Sequence, residues 1–310
     1  MRMKLCMTVL LAWLVFCGST VAAVVPRIEV NLDGKGLKLL VFEGSDHHRN
    51  YVDRGKILGD LYFNYLVDNK TYSVNLSDLQ SEILENTAGK IQIFWQLPAG
   101  VRLYQTFTVS GEEIEWDIEF FNRSHHVVNI LDMCLTVPIG AIDESVQAYQ
   151  NLNRHFSLNG NSSFLYWIPY TGQGDILLMS MKKGTAMEYA TWDGKYYLHA
   201  TNVIDRANDT WRIPSTSKTV APYQRYLTGF NFTVAKDYTD LRGKLYDKGN
   251  VLVKVAPGMV VTPEMEVYCA LQTQLPVEQL TVEYPEQIKV ANIGKTKDCL
   301  LYTSPSPRDS

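Results

Sequence analysis

Carboxylates, imidazoles and aromatic rings are the side chains here that could do chemistry or hold a ligand, and the spacing of each set limits what it can do. Glu113, Glu115, Asp117 and Glu119 stand at alternate positions. Calcium takes about six to eight oxygens converging from a bent loop, whereas alternate side chains of a strand stand in a row roughly 7 Å apart. This row therefore reads as the solvated face of a strand. His47-His48 and His125-His126 are adjacent pairs, and His155 and His199 are single. Neighbours in an extended chain point to opposite sides, so neither pair can readily share one ion. The chain has no Gly-rich phosphate loop, GxSxG elbow or HExxH motif, so no catalytic residue, metal or cofactor is assigned. Glycosidic chemistry needs two carboxyls placed across one bond, a distance that sequence separation does not report.

The aromatic residues are more informative. "NGNSSFLYWIPYTGQGD", Asn159 to Asp175, sets Phe164, Tyr166, Trp167 and Tyr170 among Gly, Asn, Ser and Pro, and Trp192 stands just before the turn residues Asp193-Gly194. Amphipathic rings offer an apolar face to sugar C–H groups, and loops on a rigid scaffold often carry binding residues. Trp167, Tyr170 and Trp192 are thus the candidate carbohydrate-binding residues, with packing in the core as the competing role for each.

The elements that must position them are strands. In "VRLYQTFTVSGEEIEWDIEFFN", Val101 to Asn122, apolar residues alternate with polar ones over two adjacent runs, the pattern of an antiparallel pair with one wet face. A turn at Ser110-Gly111 would set Phe107 opposite Ile114, Leu103 opposite Ile118 and Val101 opposite Phe120. "KIQIFWQL", "DILLMSM", "RYLTGFNFTVA", "NVLVKVA" and "EMEVYCALQT" continue the series. "DYTDLRGKLYDKG" carries a short helix signal, and "LSDLQSEILEN" fits either type. Many short strands punctuated by Gly, Asn, Asp and Pro predict an all-β fold, a large antiparallel two-sheet sandwich.

Both ends are expected to stand outside that fold. Residues 1–23 join Arg2 and Lys4 to an apolar core and then to small residues, the pattern of a secretory signal peptide. Cleavage after Ala23 is expected, with lipid attachment at Cys17 the lesser alternative because Phe16 departs from the small residue wanted before it. No later apolar run approaches the roughly 20 residues of a membrane helix, so the product is expected to be exported, periplasmic or extracellular, without a membrane span. A net charge of −4 with no basic block removes the electrostatic case for nucleic acid. Of five cysteines, only Cys134 and Cys269 fall within the expected domain; free buried thiols are favoured over a disulfide. At the other end, "CLLYTSPSPRD", Cys299 to Asp309, resembles one reading frame through a sequencing-library adapter. Residues 299–310 are therefore expected to be a non-native tail, leaving residues 24–298 as one β domain.

Three stretches carry a family resemblance: "YQTFTVSGEEIEWDIEFFNRS", "RHFSLNGNSSFLYWIPYTGQGDILLMSMKKGTAMEYAT" and "VKVAPGMVV". They resemble the amino-terminal galactose-mutarotase-like supersandwich domain of exported bacterial carbohydrate-active proteins, in particular the Bacteroidetes-type DUF5695 group. The resemblance implies a sandwich that precedes an (α/α)6 helical toroid, with the catalytic carboxylates in the toroid. The expected function is then the non-catalytic sandwich half of a glycoside hydrolase, with carbohydrate and the missing toroid as partners. Toroid-type polysaccharide lyases usually place the sandwich after the helices and rank lower. A self-sufficient mutarotase and a carbohydrate-binding or structural module are the alternatives; the His and Glu set of a mutarotase matches no motif in this chain.

Overall fold

The computed structural model describes residues 23–46, 49–142, 144–191, 193–202, 216–258, 266–279, 281, 291–296 and 299–304. The expected signal peptide lies outside the described residues except for Ala23, as do His47, His48 and Trp192.

In chain order, the first strands are β1 (Val25–Val30), β2 (Leu37–Glu43), β3 (Leu61–Val67), β4 (Lys70–Asn75), β5 (Ser81–Asn86) and β6 (Lys90–Gln96). Next come β7 (Val101–Ser110), β8 (Glu113–Asn122), β9 (Val128–Thr136), β10 (Leu152–Ser157), β11 (Phe164–Pro169) and β12 (Ile176–Met181). β13 (Tyr189–Ala190), β14 (Lys195–Ala200), β15 (Lys218–Val220) and β16 (Arg225–Ala235) lead to helix α1 (Tyr238–Asp247). β17 (Leu252–Ala256), β18 (Val267–Gln272), β19 (Ala291–Thr296) and β20 (Cys299–Ser304) follow.

Two antiparallel sheets make the sandwich. The larger runs β10-β11-β12-β16-β8-β7-β6-β5, and the smaller runs β13-β14-β9-β3-β4 with β15 also on β9. Period-two alternation decides which side chains lie between them. Ile91, Ile93 and Trp95 of β6 and Trp116, Ile118 and Phe120 of β8 meet Phe63 and Tyr65 of β3 and Met133 and Leu135 of β9 in one continuous core. The interface is aromatic: Phe63 lies 5.7 Å from Phe120, and Trp116 stacks on Phe107 at 5.4 Å. β1 and β2 form a separate pair, and β17-β18-β20-β19 form a four-stranded sheet.

The β7–β8 hairpin keeps the expected faces but not the expected partners. Phe107 faces Trp116, Leu103 faces Phe120 and Val109 faces Ile114, a slip of two residues that leaves every side chain on its predicted face. The turn falls on Gly111-Glu112, with Gly111 at φ +60°. A tight hairpin of the type II′ kind needs its positive φ at the first loop position, which glycine supplies; a Ser110-Gly111 turn would put glycine second. "LSDLQSEILEN" resolves into a single 3-10 turn followed by β5.

Helix α1 explains why β12 is buried along its whole length. Asp237 caps the helix, its carboxylate accepting the Thr239 and Asp240 backbone N–H groups at 2.8 Å each. Leu241 and Leu245, one turn apart, then pack on Ile168, Ile176, Leu178 and Ala235 on the outer side of the larger sheet. β12 is buried on both faces, so its apolar residues do not alternate.

Candidate functional site

The connections that follow β2 and β9 enclose a cleft of about 970 Å³. Asp53 joins its two walls. Its backbone N–H donates to the Pro138 carbonyl at 2.9 Å, and its Oδ1 accepts the N–H groups of Gly140 and Ala141 at 3.0 Å each. Burial raises the Asp53 pKa above the ordinary carboxylate range, against the pull of those two donors. Asn50 shapes the first wall: its Oδ1 takes the N–H groups of Leu40 and Val52, and its Nδ2 donates to the Lys38 carbonyl. Arg49 crosses the opening to donate to the Gln150 carbonyl at 2.5 Å.

Trp167 supports this cleft from below. It is 0% exposed, and its indole N–H donates to the Ile139 carbonyl at 2.9 Å. Gly140 lies so close above it that a Cβ there would stand 3.1 Å from Trp167 Cδ1. At φ +96° the position suits glycine for its backbone as well. Of the two roles open to Trp167, carbohydrate binding and packing in the core, the structure shows the second, because β11 turns that side chain inward between the sheets. Tyr170 is 48% exposed, and its backbone N–H donates to the carbonyl of Asn151, a residue of the cleft wall. The third candidate, Trp192, lies outside the described residues.

The residues that line the cleft were not singled out from sequence. Arg54 and Lys56 are exposed there beside Arg49, with Asp46, Asp53 and Glu144 as the acids. Asn50, Gln150 and Asn151 add amides. The signal available was "RNYVDRGK", Arg49 to Lys56, a charged stretch without periodicity between apolar strands. Hydrogen-bond donors and acceptors of both charges along one opening suit a ligand rich in hydroxyls.

The other groups read from sequence have structural partners. Glu113 pairs with Lys248 at 2.7 Å, Lys182 lies 2.6 Å from Glu115 and 2.7 Å from Asp117, and Arg225 pairs with Glu119. The acidic row is half-buried and neutralised rather than simply solvated. Its hydrogen bond to Lys182 holds the Glu115 carboxyl below its ordinary range. His125 meets the Tyr223 hydroxyl at 2.8 Å, and His155 stacks on Tyr166. Cys134 and Cys269 are free, the first buried and the second half-buried. Among the described residues no helix is long and apolar enough to cross a membrane, and no three His, Cys, Asp or Glu side chains gather to hold a metal.

No family model matches the chain, and no curated protein does. Among solved structures, a polysaccharide lyase superposes on 92% of this chain with a TM-score of 0.64 at 14% identity. The likeness is one of fold. The chain spans 43% of that lyase, less than half its length. Looser likenesses are a galactose mutarotase related enzyme from Lactobacillus acidophilus, with a TM-score of 0.43 at 9% identity over 69% of this chain and 96% of that one. An alpha-galactosidase from Lactobacillus brevis has a TM-score of 0.42 at 9% identity over 73% of this chain and 40% of that one.

Proposed function

We propose that this chain is the carbohydrate-binding, non-catalytic sandwich portion of a longer exported enzyme that acts on a polysaccharide. The observation that carries the reading is the match of 92% of the chain to under half of a protein called a polysaccharide lyase. A sandwich that fills part of such an enzyme has the role of scaffold and cleft wall, and the reacting groups belong to the remainder. The resemblance to DUF5695 proteins and the signal-peptide pattern of residues 1–23 support the same reading. The cleft around Asp53 then meets the glycan, Arg54 and Lys56 donating to hydroxyls and Tyr170 offering an exposed ring nearby. The lyase likeness brings eliminative cleavage level with hydrolysis as the reaction of the longer enzyme.

The test is a glycan array with the full chain, followed by titration of the polysaccharides retained. Binding is expected without turnover, whether turnover is followed as new reducing ends or as the ultraviolet absorbance of an unsaturated product. The double variant Arg54→Ala, Lys56→Ala is expected to weaken binding at least tenfold. Cleavage by this chain alone, or accelerated mutarotation of a free aldose, would replace the proposal with a self-sufficient enzyme.

A further inference from the structure

The outer face of the smaller sheet carries a second concavity, lined by residues that do not line the cleft. Register sets one row of side chains across five strands: Tyr189 pairs with Tyr197, Tyr197 with Cys134, Cys134 with Tyr62, and Tyr62 with Asn75. Their neighbours Leu61, Phe63, Met133, Leu135, Tyr196 and Leu198 point inward to the core, so the row faces away from it. Above it lies a groove of about 500 Å³ whose lining includes Tyr62, Tyr197, Asp60, Asn75, Thr136 and Lys195. That volume is within the range of small-molecule sites.

The chemistry of the lining narrows the ligand. Tyr62 is half-buried, Tyr197 is 8% exposed, and Cys134, 2% exposed, separates their strands, so the floor is apolar. The walls are polar. Asp60 is half-buried with its Oδ1 taking the Ser77 N–H at 3.1 Å, and Lys195 is exposed with its ammonium 2.7 Å from Asp193. Asn75 and Thr136 each offer a donor and an acceptor. An apolar floor edged by uncharged and charged hydrogen-bonding groups matches a pyranose, whose C–H face stacks on rings while its hydroxyls reach outward. Two carboxylates, Asp60 and Asp132, against one ammonium disfavour an anionic sugar, and Lys195 disfavours a cation.

Both carboxylates of the groove have backbone partners. Asp60 precedes β3, whereas Asp132 stands opposite Asn64. Four residues along the strands and one strand across put their Cα atoms about 14 Å apart, and the Asp60 carboxylate is engaged by the Ser77 N–H. The Asp132 Oδ1 also accepts the Asn202 N–H at 2.9 Å.

We propose that this groove is a second, non-catalytic saccharide site that stacks a neutral sugar unit on Tyr62 beside Lys195, Asp60 and Asn75. It rests on the proposed function only for the class of ligand, since its residues are separate from the cleft. The test is titration calorimetry and saturation-transfer NMR on the full chain with maltose, cellobiose, lactose and mannobiose. At least one is expected to bind with a Kd on the order of 1 mM, a single-sugar affinity. Tyr62→Ala should weaken it at least tenfold, Lys195→Met severalfold, and Tyr62→Phe less than threefold. A measurement on the unmutated protein guards against misfolded variants: the bound disaccharide should slow acetylation of the exposed Lys195 at least twofold, read by peptide mass, and leave that of the exposed Lys218 unchanged. Absence of binding by all four sugars overturns the proposal, as does binding that survives both Tyr62→Ala and Lys195→Met. If these disaccharides bind through Tyr62 while polysaccharide binding ignores Arg54 and Lys56, the groove stands and the cleft reading falls.

Discussion

His199 lies across the sandwich from β16, its Nε2 3.0 Å from the Tyr226 hydroxyl and its Nδ1 buried without a hydrogen-bond partner. Burial, and secondarily the charge of Lys218, depresses its pKa to about 4. The folded value is below the ordinary 6.5, so the unfolded chain binds the extra proton more readily. The stabilisation is therefore whole above about pH 6.5 and drains away as pH falls towards 4, by ~3 kcal/mol in all. Urea unfolding at pH 7 and pH 4.5 should show that loss in the parent protein and a flatter response in His199→Gln; equal slopes would mean the ring is not held neutral. Asp53 supports a second prediction. Asp53→Ala leaves the N–H groups of Gly140 and Ala141 without their acceptor and should cost ~1–3 kcal/mol and loosen glycan binding, whereas Asp53→Asn keeps an acceptor and should cost less. At this scale the sequence was a partial guide. A tryptophan among loop-forming residues reads the same whether it faces solvent or core, and only the parity of β11 sends Trp167 inward and leaves Tyr170 outside.

Strand faces were legible in sequence because alternation reports them directly, and the burial of β7 and β8 follows it over the length of the hairpin. Register was less legible, since alternation is blind to a slip of two residues and only the turn resolves it. Gly111→Ala should therefore cost ~1 kcal/mol through its positive φ, measured by thermal unfolding; Ser110→Ala, one position earlier, should cost much less. Gly229 of β16 has a different reason to be glycine. A Cβ there would stand 2.5 Å from the Trp116 carbonyl oxygen and 2.9 Å from Asp117 Oδ1, in the space beside the stem of Lys182. Gly229→Ala is expected to cost ~1–3 kcal/mol as the two strands part and to loosen the Lys182 bridge to Glu115 and Asp117. Lys182→Met should cost ~1 kcal/mol or less, as half-exposed ion pairs do; a larger loss for Lys182→Met than for Gly229→Ala would reverse the assignment of strain and charge.

The cleft and the groove are products of the whole chain. The cleft joins residues 87 and 88 positions apart through Asp53, and the groove collects residues from β3, β4, β9 and β14, so neither is contained in one local pattern. Stability also differs across the molecule. The sandwich holds Trp95, Trp116 and Trp167 fully buried, and the Trp116 indole donates to Gln105, whose amide donates on to the Gly59 carbonyl, tying the larger sheet to the entry of β3. β17 and β18 contribute nothing to that core: their side chains are half-buried or exposed, and Leu252 alone packs beside α1. Backbone pairing without apolar burial opens locally at low cost. Amide hydrogen exchange followed by mass spectrometry should thus show β17 and β18 exchanging at least tenfold faster than β7, β8 and β16, with the sandwich strands exchanging together in one cooperative step. Equal protection would mean that an additional surface covers the four-stranded sheet in solution, and the sandwich would no longer be the sole unit of stability.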